Sequence, residues 1–128
     1  MARPRIIPTL LIRKTGLVKG EKFDKHRYVG DAINTARIFN DKGVDELVIL
    51  DIDATREGRE PNYALIEDLA SECFMPLCYG GGVTTTAQME KLFRLGCEKV
   101  CLTTAAASKP RLIEEAAQRF GRQSVVVG

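Results

Sequence analysis

Tryptophan is absent from this sequence, histidine occurs once, as His26, and tyrosine three times. With five Phe, aromatics reach only 6% of the chain, and no cluster of them suggests the stacked-base platforms of single-strand nucleic-acid binders. Basic residues do not cluster either: 19 Lys and Arg against 17 Asp and Glu leave a formal charge of +2. That field is too small to mark a nucleic acid or an anionic membrane surface as a partner. No stretch approaches the roughly 18 apolar residues of a membrane span. Met1-Ala2-Arg3-Pro4 is expected to enter a strand directly, with no signal-peptide pattern. Cys73, Cys78, Cys97 and Cys101 form no CxxC pair, and one histidine offers zinc little help. They read as reduced, mostly buried thiols of a cytoplasmic protein, with no metal and no cofactor expected.

What is present is an ordinary globular mixture, 45% apolar and 28% charged, in 128 residues. This suffices for one domain, residues 1–128, and falls short of the about 200 residues or more of an eight-unit (βα)8 barrel. Apolar runs alternate with helical patterns. Ile6 to Ile12 is a continuous, β-branched run, as in a strand covered on both faces. The polar segment from Arg13 to Gly30 exceeds an ordinary connection and is a candidate functional loop. Asp31 can cap a helix bearing Ile33, Ala36 and Phe39, closed by Gly43. Leu47 to Leu50 is a second strand, and Pro61 suits the first turn of a helix with Ile66, Leu69, Ala70 and Cys73 inward.

Pro76 to Tyr79 forms a third strand running into Gly80-Gly81-Gly82, with a helix from Thr84 to Leu95 after it. Val100 to Leu102 is a fourth strand. Ser108 can cap a helix with Pro110 in its first turn, and Val125 to Val127 begins a fifth strand. The order implies an α/β fold with a parallel sheet, a (βα)4 unit plus the start of a fifth strand, half of a TIM barrel. Ile6, Leu10, Val48, Leu50, Leu77 and Cys101 are expected to include the residues lining its interior. The segments 43–50 and 96–103 share a pattern of glycine, charged pair and apolar strand. Either the chain is two quarter-barrels, about 1–53 and 54–128, or every such junction uses a glycine.

Functional groups of parallel α/β proteins gather beyond the C-terminal ends of the strands. Here these are Leu11, then Asp51 and Asp53, then the three glycines, then Thr103 and Thr104. A glycine run between strand and helix lets backbone N–H groups reach phosphate oxygens, though glycines also simply turn chains. Asp51 is either a ligand contact or a cap on the next turn. At the opposite ends Arg5, Glu46 and Lys99 stand at strand starts, as solvated charges or as a paired ring across a barrel floor.

These residues carry a resemblance. Arg5-Ile6-Ile7, Gly16-Leu17-Val18-Lys19-Gly20, the run from Asp45 to Ile52, Tyr79-Gly80-Gly81-Gly82-Val83 and Thr104-Ala105-Ala106 resemble the N-terminal half of the imidazole glycerol phosphate synthase cyclase subunit. The likeness is almost gap-free along the whole chain. It implies a (βα)8 barrel that takes ammonia from a glutaminase partner and cleaves and closes a bisphosphorylated nucleotide, a lyase of histidine biosynthesis. It implies phosphate binding at Gly81, Gly82 and Thr104, with Thr103 beside them in place of the family's asparagine. It further implies active-site positions at Lys19 and Asp51, and an ammonia gate of Arg5, Glu46 and Lys99.

Two departures set this chain apart. The family's first catalytic carboxylate follows a Cys-Leu-Asp-Val pattern, whereas Thr9-Leu10-Leu11-Ile12 puts Leu11 at the aspartate. Its second carboxylate belongs past Gly128. The run from Asp51 to Asn62 is similar to cyclase-like paralogues that accompany a glutaminase-like subunit and an amidating enzyme in surface-polysaccharide biosynthesis, which implies delivery of ammonia for amidation of a nucleotide-linked sugar. Three readings follow: half of an ammonia-channelling synthase subunit, half of a histidine-pathway cyclase, or a non-enzymatic half-barrel that self-associates as a homodimer and binds a phosphorylated small molecule.

Overall fold

The computed structural model describes residues 5–13, 16–22, 25–57, 59–102 and 109–127, with the backbone alone for residues 13–31 and 55–57. In chain order the elements are β1 (Thr9–Arg13), β2 (Gly16–Lys22), β3 (Lys25–Asp31), α1 (Ala32–Asp41), β4 (Leu47–Asp51), α2 (Ile52–Glu57) and α3 (Tyr63–Glu72). Then come β5 (Leu77–Gly80), α4 (Thr86–Leu95), β6 (Lys99–Leu102), α5 (Pro110–Phe120), a 3₁₀ turn at Arg122–Ser124 and β7 (Val125–Val127). One sheet holds all the strands in the order β3-β2-β1-β4-β5-β6-β7. Five of them, β1, β4, β5, β6 and β7, are parallel and alternate with helices, as in half of a (βα)8 barrel.

The polar segment after β1 is not an irregular loop. It folds as an antiparallel hairpin, with β2 paired to β1 and β3 to β2. The hairpin occupies the outer edge of β1, whose backbone groups would otherwise stand unpaired. The sheet is therefore parallel in its barrel portion and antiparallel at this edge.

Side chains of paired residues share a face of a sheet. Leu10, Ile12, Leu47, Ile49, Leu77, Tyr79, Val100 and Leu102 lie on the face that packs against helical Ala32, Ala36, Leu65, Ile66, Leu69, Met89, Leu92, Leu112 and Ala116. Each fully buried Leu or Ile contributes about 1.5–3 kcal/mol relative to exposure. Leu10 and Leu77 thus face the helices and not the barrel interior. Ile6 precedes β1 and is exposed.

The other face carries Thr9, Leu11, Val48, Leu50, Cys78, Gly80, Lys99, Cys101 and Val126, with no described helix over it. Thr9 and Val126 are exposed and Leu11, Val48 and Leu50 half-buried. This face would become the interior if the barrel closed.

Helix starts follow their caps. Pro61 stands just before α3 and not in its first turn; Asn62 is the cap, its side chain accepting from Leu65 N–H. Thr85 and Gln88 form a capping box on α4. Pro110 stands in the first turn of α5 after Lys109, while Ser108 lies outside the described residues. No described helix is long and apolar enough to cross a membrane.

Candidate functional site

Glu46 immediately precedes β4, and strand alternation with Leu47 turns it to the open face. It is buried to 4% exposure, an expensive position for a carboxylate unless cations accompany it. Two do. Lys99 Nζ stands 3.2 Å from Oε1, and Arg5 Nη2 3.7 Å from Oε2. Oε1 receives no aligned hydrogen bond from the described residues, so the Lys99 contact acts through charge. The structure therefore brings Arg5, Glu46 and Lys99 together at the N-terminal end of the sheet, the floor.

Above this cluster the open face is apolar. Cys78 pairs in register with both Val48 and Lys99, and Gly80 with Leu50 and Cys101. Burial is the largest influence on the Cys78 thiol and pushes it up to about 12, so it stays protonated near neutrality. Leu11 pairs with Leu50 near the top. Glu46 is the one carboxylate on this face among the described residues, and Leu11 offers no proton-exchanging group.

At the top, Asp51 ends β4 with its side chain on the helix-covered face, opposite Ile12. Its Oδ1 accepts from Asp53 N–H at 3.1 Å and Ala54 N–H at 3.0 Å, capping α2. Burial raises its pKa above the usual 3.8, partly countered by those backbone N–H groups and by the Arg59 charge. Of the two roles open to Asp51, these bonds perform the cap.

The glycines have close company. Gly81 at φ +141° would place a Cβ 2.7 Å from the Asp51 carbonyl oxygen, and Gly82 at φ +71° would drive one into the Arg59 carbonyl. Only glycine tolerates both that backbone and that approach. Thr84 and Thr85 N–H donate to Gln88 Oε1 and Gln88 N–H to Thr85 Oγ1. The first amides of α4 are thus partly engaged by the helix itself. Thr103 and Thr104 lie outside the described residues; Lys19 sits in β2 opposite Arg27, with its side chain outside the described part.

A half-barrel with an ion-paired floor and a glycine-rich top has known counterparts. The family described as histidine biosynthesis protein matches residues 5–128. The chain belongs to the histidine biosynthesis protein family. Relatives in it are named as imidazole glycerol phosphate synthase subunits. One from Vibrio vulnificus is 55% identical over 127 residues, 99% of this chain and 49% of its own length. One from Pseudomonas aeruginosa is 57% identical, covering 98% and 50%. One from Leptospira borgpetersenii is 51% identical, covering 99% and 50%. The chain spans about half the length of these relatives.

Within this family member, sequence reasoning missed two neighbours of the glycine turn. Tyr79 Oη accepts from Asn62 N–H at 3.1 Å, fixing the start of α3 under the turn. Arg59 sets its backbone against Gly82, and its charge acts on Asp51 and Tyr79. The α2–α3 connection folds back onto β5, and no local pattern signals that.

Proposed function

We propose that this chain is half of an ammonia-channelling synthase subunit, admitting ammonia through Arg5, Glu46 and Lys99 and silent as a cyclase on its own. The observation that carries this reading is the pairing of a charged floor with an apolar, carboxylate-free wall. Glu46 is the buried anion between two cations. Above it run Val48, Cys78, Leu50, Cys101 and Leu11, none able to protonate passing ammonia near neutral pH. Leu11 supports acceptance of nitrogen elsewhere, as in the amidation of a nucleotide-linked sugar, because a missing general acid–base group typically costs about 100- to 10,000-fold in rate.

Phosphate binding is retained in this reading, at the Gly81 and Gly82 amides with Thr103 and Thr104 beside them. Asp51 and the α2 turn hold that loop in place, and Lys19 serves at the rim. The companion subunit is a glutaminase, and the location is cytoplasmic. The alone-standing chain closes its open face with a second copy, because a sheet with one bare apolar face is a liability in water.

The test is turnover of the bisphosphorylated nucleotide substrate of imidazole glycerol phosphate synthase with ammonium chloride as donor. The expected rate equals that of a Leu11→Ala control, and Leu11→Asp alone restores nothing. Turnover above that control would overturn the reading in favour of a histidine-pathway cyclase.

A further inference from the structure

Strand β5 sends Leu77 and Tyr79 toward the helices. The neighbours of Tyr79 in register, Ile49 and Val100, are hydrocarbon, and its ring is fully buried. A phenylalanine would fill this place without the cost of burying a hydroxyl. Burial also pushes the phenol well above its usual 10, so it stays a neutral hydroxyl near neutral pH. Its oxygen accepts from Asn62 N–H at 3.1 Å.

Asn62 ends the connection between α2 and α3, and that connection is tied at both ends. Arg59 N–H donates to the Ala54 carbonyl at 2.9 Å, on the α2 side. On the α3 side Asn62 N–H meets Tyr79, while the Asn62 side chain accepts from Leu65 N–H at 3.2 Å. Between these ties lies one wall of the glycine turn. The Arg59 carbonyl stands where a Cβ on Gly82 would go, and the Glu60 carbonyl carbon is 3.1 Å from the same point. The opposite wall is the Asp51 carbonyl oxygen, 2.7 Å from the corresponding point on Gly81.

The two walls are held differently. Asp51 belongs to β4 and is fixed by the sheet. Arg59 and Glu60 belong to no helix or strand. Tyr79 reaches their connection from β5, the strand that leads into the turn, so one side chain sets the spacing between the glycines and the wall above them.

We propose that Tyr79 is the positioning residue of the glycine turn: by holding Asn62 N–H it keeps residues 59–62 against Gly82 and leaves the Gly81 and Gly82 amides one conformation in which to meet phosphate. The inference rests on the phosphate-binding reading of those amides and names the group that sets them. Donors fixed before a ligand arrives bind it without an ordering cost. Donors on a turn released into the wide φ range of glycine bear that cost. The coupling is reciprocal: the factor by which the tie raises phosphate affinity is the factor by which phosphate strengthens the tie.

The experiment is titration of the isotope-labelled chain with inorganic phosphate, read by nuclear magnetic resonance at the Gly81 and Gly82 amides, for wild type, Tyr79→Phe and Ile49→Val. Hydrogen exchange at Asn62 N–H is measured alongside, with and without saturating phosphate. Tyr79→Phe keeps the ring and removes the tie; its phosphate Kd is expected to rise about 10-fold, as on loss of a group that orients ligand contacts. Ile49→Val trims the core beside the ring and is expected to lower the unfolding midpoint with Kd unchanged, which separates positioning from stability. In wild type, saturating phosphate is expected to slow Asn62 exchange by about the same 10-fold factor, and in Tyr79→Phe to leave it unchanged. Equal Kd values for wild type and Tyr79→Phe overturn the positioning role and leave the phosphate reading standing. Wild type without shifts at Gly81 and Gly82 overturns both. If Tyr79→Phe does not fold, the wild-type exchange decides alone, and an Asn62 rate indifferent to phosphate overturns the proposal.

Discussion

Gly43 and Gly82 offer a matched pair of perturbations. Their φ angles are +70° and +71°, so replacing either with alanine incurs the same left-handed penalty, about 1–3 kcal/mol. Their surroundings differ completely. An alanine Cβ at position 43 meets nothing within 4 Å, whereas at 82 it strikes the backbone of Arg59 and Glu60. Forcing a methyl into packed backbone costs typically about 1–3 kcal/mol beyond the torsional term. Gly43→Ala is thus expected to lose about 1–3 kcal/mol and Gly82→Ala about 2–6 kcal/mol. Urea unfolding at one fixed protein concentration reads the difference: with m near 1–3 kcal/mol/M, the midpoints should separate by about 1 M. Phosphate titration of the folded fraction should be unchanged in Gly43→Ala and lost in Gly82→Ala. Equal midpoint shifts would refute the reasoning, since position 82 would then be glycine for some reason other than the Arg59 approach.

Other expectations follow from the floor, the cap and the thiols. Lys99→Met should destabilise by about 1–3 kcal/mol, because it leaves a buried carboxylate with one distant partner, and Arg5→Ala by less than about 1 kcal/mol because that guanidinium is largely exposed; urea midpoints in the reverse order would contradict the floor assignment. Asp51→Asn keeps an oxygen for the α2 amides, whereas Asp51→Ala should lose about 1 kcal/mol. Because burial raises the Asp51 pKa, its ionisation disfavours the folded state as pH rises above 3.8, so the stability gap favouring Asp51→Asn should shrink as pH falls. A gap that widens toward acid in paired pH 4 and pH 7 melts would contradict this. Cys78 and Cys97, both pushed up to about 12 by burial, should resist iodoacetamide at pH 8 in the native protein; peptide mass mapping that finds them alkylated as fast as in urea would argue against their burial.

Much of the fold was legible because five strands are largely apolar and the helices between them carry clear apolar stripes. What failed was information that is not local. The segment Gly16–Asp31 is rich in charge and has no apolar period; it folds as a hairpin laid against the edge of β1. The helix Ile52–Glu57 is too short for a pattern and depends on the Asp51 cap. Leu10 and Leu77 were expected inside the barrel because strands with two apolar faces hide their parity; the registers Leu10↔Ile49 and Leu47↔Leu77 put them on the helix side. At the floor, Arg5, Glu46 and Lys99 were visible as charges at strand starts, and the resemblance grouped them. The tie from Tyr79 to Asn62 was not visible, since an aromatic residue at the end of a buried strand reads as core.

The claim on which the rest depends is that the face bearing Leu11, Val48, Leu50 and Cys101 is the interior of a barrel awaiting its other half. Light scattering on the purified chain at micromolar concentration tests it most directly. A closed dimer is expected, with the mass of two chains of 14.2 kDa each, and Leu50→Lys on the open face should shift it to monomer. A stable, non-aggregating monomer for the wild-type chain would contradict it, because that bare apolar face would then need no cover.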